Sequence, residues 1–162
     1  MSFRLKKRHR LRKKEIKSLS EGLFNVFSIS SFAQDDTVDM ASTLKFDVIL
    51  VNGEILGMVF ENEPFLTVKG LLKFRPENKF VTVDMGAVKF VYNGADVMGP
   101  GIIDADPHIQ AGDLVWIRDE KNLQPLAVGE AIMSGEEMIR SKQGKAINSI
   151  HHVGDDIWNY KN

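Results

Sequence analysis

The hydrophobic pattern changes twice along the 162 residues. In the opening stretch RLKKRHRLRKKEIKSL, the large aliphatics are Leu5, Leu11, Ile16 and Leu19, too few for a wide buried face. Most of these residues favour helix and no Pro or Gly interrupts them, which predicts a helix or a partly ordered arm. Arg4, Lys7, Arg8, Arg12 and Lys14 would then project to solvent. Ser20 to Val38 predicts one helix with a polar loop. From Leu44 the texture turns to strand: Leu44 to Val51, the two-residue turn Asn52-Gly53, and a return over Glu54 to Phe60. Glu63-Pro64 should break that strand. Phe65 to Val68 reads as a third strand or a short edge, Leu71 to Phe74 continues the apolar pattern, and Arg75 to Asn78 reads as a linker.

The second texture begins at Phe80 to Asp84, a short β segment. In Gly86 to Asn93 the apolar positions Ala87, Val88, Val91 and Tyr92 suit a short helix, which Gly94 would end as a left-handed cap. Val97 to Ile103 follows, interrupted by Gly99-Pro100-Gly101. Leu114 to Arg118 and Gln124 to Met133 read as partner strands. Ser134 is placed as an N-cap, with Glu137 in capping-box position. Gly144 to Asn148 and Val153 to Trp158 supply the last strands. The pattern predicts an α+β chain: a small α+β unit over residues 1–75, then a compact mixed β-barrel with two short helices.

Composition narrows this reading. At 43% hydrophobic residues with ten Phe, the chain can bury a core. The absence of Cys removes disulfides, thiolate nucleophiles and Cys-based zinc sites. No run approaches eighteen apolar residues, and the basic start has no apolar stretch behind it, so the expectation is a cytoplasmic protein without membrane contact. The net charge of −1 conceals an asymmetry. Arg4 to Lys17 holds nine Lys/Arg against Glu15 alone, residues 18–78 hold four against nine acids, and residues 79–162 hold eight against twelve. Such a cationic end attracts phosphate through Coulomb forces and counterion release.

The segments VTVDMGAVKFVYNGADVMGPGII, AGDLVWIRDE, PLAVGEAIMSGEEMI and GKAINSIHHVGDDIW together closely resemble a PUA domain, spanning residues 79–158. The upstream half resembles the pre-PUA segment of archaeal PUA proteins and of the malignant T-cell-amplified sequence and ligatin group of translation factors. The resemblance implies a C-terminal pseudo-β-barrel whose RNA face surrounds the first helix, the loop after it and the final strand. Carried onto this chain, that face comprises Gly94, Ala95, Val97, Met98, Gly99, Pro100 and Gly101, with His151, His152 and Trp158 at the far end. Glycines there would allow close backbone approach and offer N–H groups to phosphates or bases, while Met98 and Pro100 supply flat apolar surface.

Outside that resemblance, Gly99-Pro100-Gly101 is an ordinary tight turn. Adjacent His151 and His152 point to opposite faces of a strand and do not readily share a metal. Asp104-Ala105-Asp106 lacks the spacing of a calcium loop and reads as a solvated turn. Trp116 reads as core. No phosphate loop, GxSxG or HExxH occurs, so the expectation is a non-catalytic protein with no cofactor and no metal. Expected partners are tRNA or ribosomal RNA, with the small ribosomal subunit or an RNA-modification enzyme as the protein partner. The alternatives are an accessory tRNA-binding subunit for such an enzyme, or a protein-interaction module.

Overall fold

The basic run is not one helix. In the computed structural model, which describes residues 3–162, Lys6–Arg10 forms strand β1 and helix α1 spans Lys13–Phe27. Helix propensity yields here to a tertiary partner. β1 pairs antiparallel with β2 (Val38–Ser42), with His9 opposite Met40 and Arg10 opposite Asp39. The expected helix over Ser20 to Val38 is displaced accordingly: α1 starts earlier, ends at Phe27, and Val38 opens a strand. α1 buries Leu23 and Phe27 and half-buries Ile16 and Leu19; Ser28, at φ 58°, closes it by donating its N–H to Phe24 O at 2.7 Å.

β3 (Asp47–Val51) and β4 (Glu54–Phe60) form the expected hairpin. Asn52 at φ 52° and Gly53 at φ 87° are the two left-handed residues that its tight turn requires. The first strand starts three residues late, leaving Leu44 99% exposed. Pro64 does not end the sheet. It lies in β5 (Glu63–Leu66), an edge strand whose outer side has no ladder bonds to lose. Val68–Phe74 is a helix, α2, capped by Thr67, whose hydroxyl oxygen accepts from Gly70 N. The sheet order is β1-β2-β3-β4-β5, over a core that includes Leu11, Val38, Ile49, Val51 and Leu56.

The second sheet contains β6 (Phe80–Val83), β7 (Val97–Met98), β8 (Ile102–Ala105), β9 (Leu114–Asp119), β10 (Pro125–Ala131) and β11 (Lys145–His152). Its order is β7-β11-β10-β9-β6-β8, curled into a half-barrel; β6 and β9 run parallel and the other pairs antiparallel. Helices α3 (Met85–Tyr92) and α4 (Gly135–Ser141) begin at the caps Asp84 and Ser134, whose side chains accept from Ala87 N at 2.9 Å and Glu137 N at 3.2 Å. Trp116 is core, donating Nε1–H to Asn78 O at 2.8 Å. Tyr92, one of the four apolar positions whose spacing predicted α3, is 43% exposed.

Two further expectations change. Asp104-Ala105-Asp106 is not a solvated turn: it continues β8 into a buried Asp106 that accepts from Lys79 N at 2.7 Å and His108 N at 2.9 Å. Burial opposes the charge of Asp106, but these bonds outweigh it and hold the carboxyl below its usual range. Val153 to Trp158 is not a strand either, and Asp156–Asn159 forms a helical turn, α5. The chain divides into one unit running up to Pro76 together with Asp156–Asn162, and a second unit over Glu77–Asp155. Residues 156–158, expected in the barrel, therefore belong to the first unit. Among the described residues no helix is long and apolar enough to cross a membrane.

Candidate nucleic-acid interface

The residues expected to meet RNA fall into a basic group in the first unit and a loop group in the second. In the first, Arg4, Lys7 and Lys14 are exposed. Lys7 sits at φ 55° where the β1–β2 register shifts, a left-handed conformation that marks an edge bulge. Arg8 is committed inside the unit: its Nε meets Asp39 Oδ2 at 2.9 Å, and its Nη1 donates to Asn162 Oδ1 at 2.7 Å and to the Tyr160 hydroxyl at 3.3 Å. Arg10 joins the same carboxylate at 2.5 Å. Burial works against a charged Asp39, yet Arg10 and Arg8 more than compensate and keep its carboxyl below its usual range. Arg12 is the N-cap of α1, and its Nε lies 3.2 Å from Glu15 Oε1.

In the second unit, Gly94 adopts φ 84° just past the C-terminal end of α3, as its role as a cap requires. Its N–H donates to Val91 O at 3.0 Å, and that of Ala95 to Phe90 O at 3.0 Å. The Gly99 N–H is spent on Gly144 O at 2.7 Å. These three glycine-loop N–H groups are thus held inside the fold, contrary to the expectation that they face a ligand. Gly99 is glycine for another reason: a Cβ there would lie 2.7 Å from Gln143 N. Val97 is buried in the core, and His151 is 1% exposed with Nδ1 2.8 Å from Asp155 Oδ2, so neither offers a side chain to a partner. His152 is half-buried, with Nε2 2.8 Å from where a Cβ on Gly94 would stand. Trp158 is half-buried in the first unit, with Lys69 Nζ 5.5 Å from its ring.

What remains on the surface is Ala95, Met98 at 50% exposure and Pro100, with Gly94, Gly101 and His152 partly accessible. The structure adds neighbours that sequence reasoning missed. Met98 is the register partner of Lys145, and Gly99 abuts the Lys142–Gln143 backbone, so the loop lies beside the C-terminal end of α4. A signal was available: Arg140, Lys142 and Lys145 are three of the seven Lys/Arg in residues 77–155, packed into six positions. Lys145 Nζ meets Asp96 Oδ2 at 3.1 Å, and Asp96 Oδ1 accepts from Ser149 N at 2.8 Å. The Ser149 bond, helped by Lys145 against burial, keeps the Asp96 carboxyl below its usual range. On the other side, Gly101 faces Ala87 of α3, whose outer surface exposes Met85 and Phe90. The Lys89 ammonium lies 5.2 Å from the Phe90 ring. Arg118 is engaged elsewhere, over Phe80 at 3.8 Å and donating to Thr82 Oγ1 at 2.9 Å. Among the described residues, no three His, Asp or Glu converge as a metal site.

A curled half-barrel with Pro100 exposed on a Gly-Pro-Gly turn beside a basic helix end is a PUA-type architecture. The PUA domain model matches residues 79–153. An uncharacterized protein of Methanocaldococcus jannaschii is 42% identical over 97% of this chain and 98% of its own. Translation machinery-associated protein 20 of Saccharomyces cerevisiae is 36% identical over 72% of this chain and 67% of its own. The crystal structure of a hypothetical protein from Pyrococcus horikoshii aligns at a TM-score of 0.84 and 37% identity, covering 96% of this chain and 99% of that one. The chain belongs to the PUA-domain family, in the group that contains translation machinery-associated protein 20.

Proposed function

We propose that the protein is a non-catalytic RNA-binding factor of translation that positions RNA by two contacts. The observation that carries this reading is one continuous surface in the second unit. Met98 and Pro100 stand exposed between the outer face of α3 and the basic loop at Lys142–Lys145. Flat apolar groups suit a base or ribose, and adjacent lysines suit its phosphate. The unit as a whole is acidic, with seven Lys/Arg against twelve Asp/Glu in residues 77–155, so affinity there has to come from this local arrangement. A single-stranded end or a tRNA acceptor fits such a small face. The basic strand and helix of the first unit would hold phosphates, with ribosomal RNA as the candidate. The translation assignment draws on the name of the yeast relative.

Crosslinking in cells followed by sequencing of the bound RNA tests this reading. The wild type should recover tRNA or ribosomal RNA, and Met98→Glu should lose most of it while keeping its melting temperature. A folded Met98→Glu protein with undiminished crosslinking would refute the proposed face. Recovery of a modification enzyme, rather than ribosomal subunits, with the purified protein would move the role to an accessory tRNA-binding subunit.

A further inference from the structure

Nine Lys/Arg crowd the stretch from Arg4 to Lys17; three of the four arginines there make ion pairs and none of the five lysines does. Arg8 and Arg10 converge on Asp39, and Arg12 turns to Glu15. Among the described residues, no ion pair is made by Arg4, Lys6, Lys7, Lys13, Lys14 or Lys17. All six are exposed. Three arginines, the side chains able to make planar bidentate contacts, are therefore spent on the fold, and five lysines are left on the surface. Those lysines stand on an edge strand and on the first two turns of α1.

We propose that this lysine surface of β1 and α1 is a sequence-independent contact for RNA phosphates, that Arg8 and Arg10 are structural rather than RNA-contacting, and that Asp39 sets its net charge. The proposal rests on the reading of the protein as an RNA binder. Lysine ammonium groups act as mobile point charges, so they track a backbone without reading bases. Stable attachment to a membrane surface takes apolar groups or a lipid anchor beside the charge. Here Leu11 is buried, and the large exposed hydrophobic of α1 is Phe24, seven residues beyond Lys17. A polyanion with regularly repeated charge, free of an apolar phase, is the better match.

The test uses the full chain and two fluorescent probes, a 20-base-pair RNA duplex and a 20-nucleotide oligouridylate, titrated across potassium chloride concentrations. Replacing Lys6, Lys7, Lys13 and Lys14 with Ala should reduce the slope of log affinity against log salt on the duplex by about 3–4, at about 0.9 per phosphate lost. Arg10→Gln should change it by less than about 1. Asp39→Asn should steepen it by about 1–2, because two guanidinium groups lose their counter-charge. Lys13→Glu with Lys14→Glu, confined to exposed positions of α1, repeats the lysine test without touching the strand.

An unchanged slope in both lysine variants overturns the proposal, as does an equal loss in Arg10→Gln. Binding of phosphatidylserine vesicles that needs the same lysines and competes with the duplex overturns the choice of RNA. If the lysine slopes fall while Met98→Glu binds normally, this inference stands and the loop face fails. The reverse result sinks this inference alone.

Discussion

At the residue scale, the most informative side chain is Asp39, a 7% exposed carboxylate that carries two arginines. Its folded pKa is depressed, so its contribution to stability is full above the ordinary carboxylate value near 4 and is lost as pH falls through the folded value. Wild type should therefore lose more stability than Asp39→Asn between pH 6 and pH 3 in parallel thermal melts. At pH 7 the Asn variant should be less stable by about 1 kcal/mol, a figure held low because the Arg8 and Arg10 side chains keep 33% and 64% of their surface in water. Equal acid sensitivity of the two proteins would show that the pair contributes nothing. The same scale explains which site residues the sequence misplaced. Val97 and His151 lie in strands whose facing is set by register, and register shifts interrupt both β7–β11 and β10–β11. Both residues were carried over from the family resemblance, which gives a position in sequence but not the facing that strand pairing imposes.

At the element scale, legibility followed local chemistry. The β3–β4 hairpin, α3 with its Gly94 cap and α4 with its Ser134 cap were readable because each is specified by a turn or cap residue adjacent to a clear apolar pattern. β1 was not readable. All five of its residues are exposed Lys, Arg or His, so no alternation marks it, and the strand it pairs with is remote in sequence, Asp39 lying 29 positions from Arg10. The Gly99–Gly101 turn (a 3-10 turn between β7 and β8) was visible as a turn, but its dependence on the α4 end was not. Gly99→Ala should force the turn off the Gln143 backbone and destabilise the second unit by about 1–3 kcal/mol, read as a lowered denaturant midpoint. A midpoint equal to wild type would mean the turn yields freely, and the surface built from Met98 and Lys142 would then not be rigid.

At the scale of the whole molecule, the first unit is assembled from both ends of the chain. Ile157 is buried, Trp158 lies beside Lys69, and Asn162 meets Arg8 across 154 positions of sequence. Deleting Asp156–Asn162 should lower hydrogen-exchange protection of β1 and β2 amides while leaving β9 and β10 protected, since the latter pair belongs to the second unit alone. Burial of a side chain such as Ile157 is worth about 1.5–3 kcal/mol, enough to make the change measurable. Undiminished protection of β1 would show that the seven residues are bystanders.

That shared ownership of the first unit has a consequence for birth on the ribosome. Synthesis proceeds at about 5–20 residues per second, and domains generally fold as they emerge. Here an early strand waits for a late partner: Arg8 and Asn162 lie 154 positions apart, and the whole of Glu77–Asp155 is polymerised in between. The second unit can therefore settle first although it is translated second. During that interval the nascent basic strand lacks its final fastening, so the first unit acquires its finished form only after Asp156–Asn162 has emerged as well.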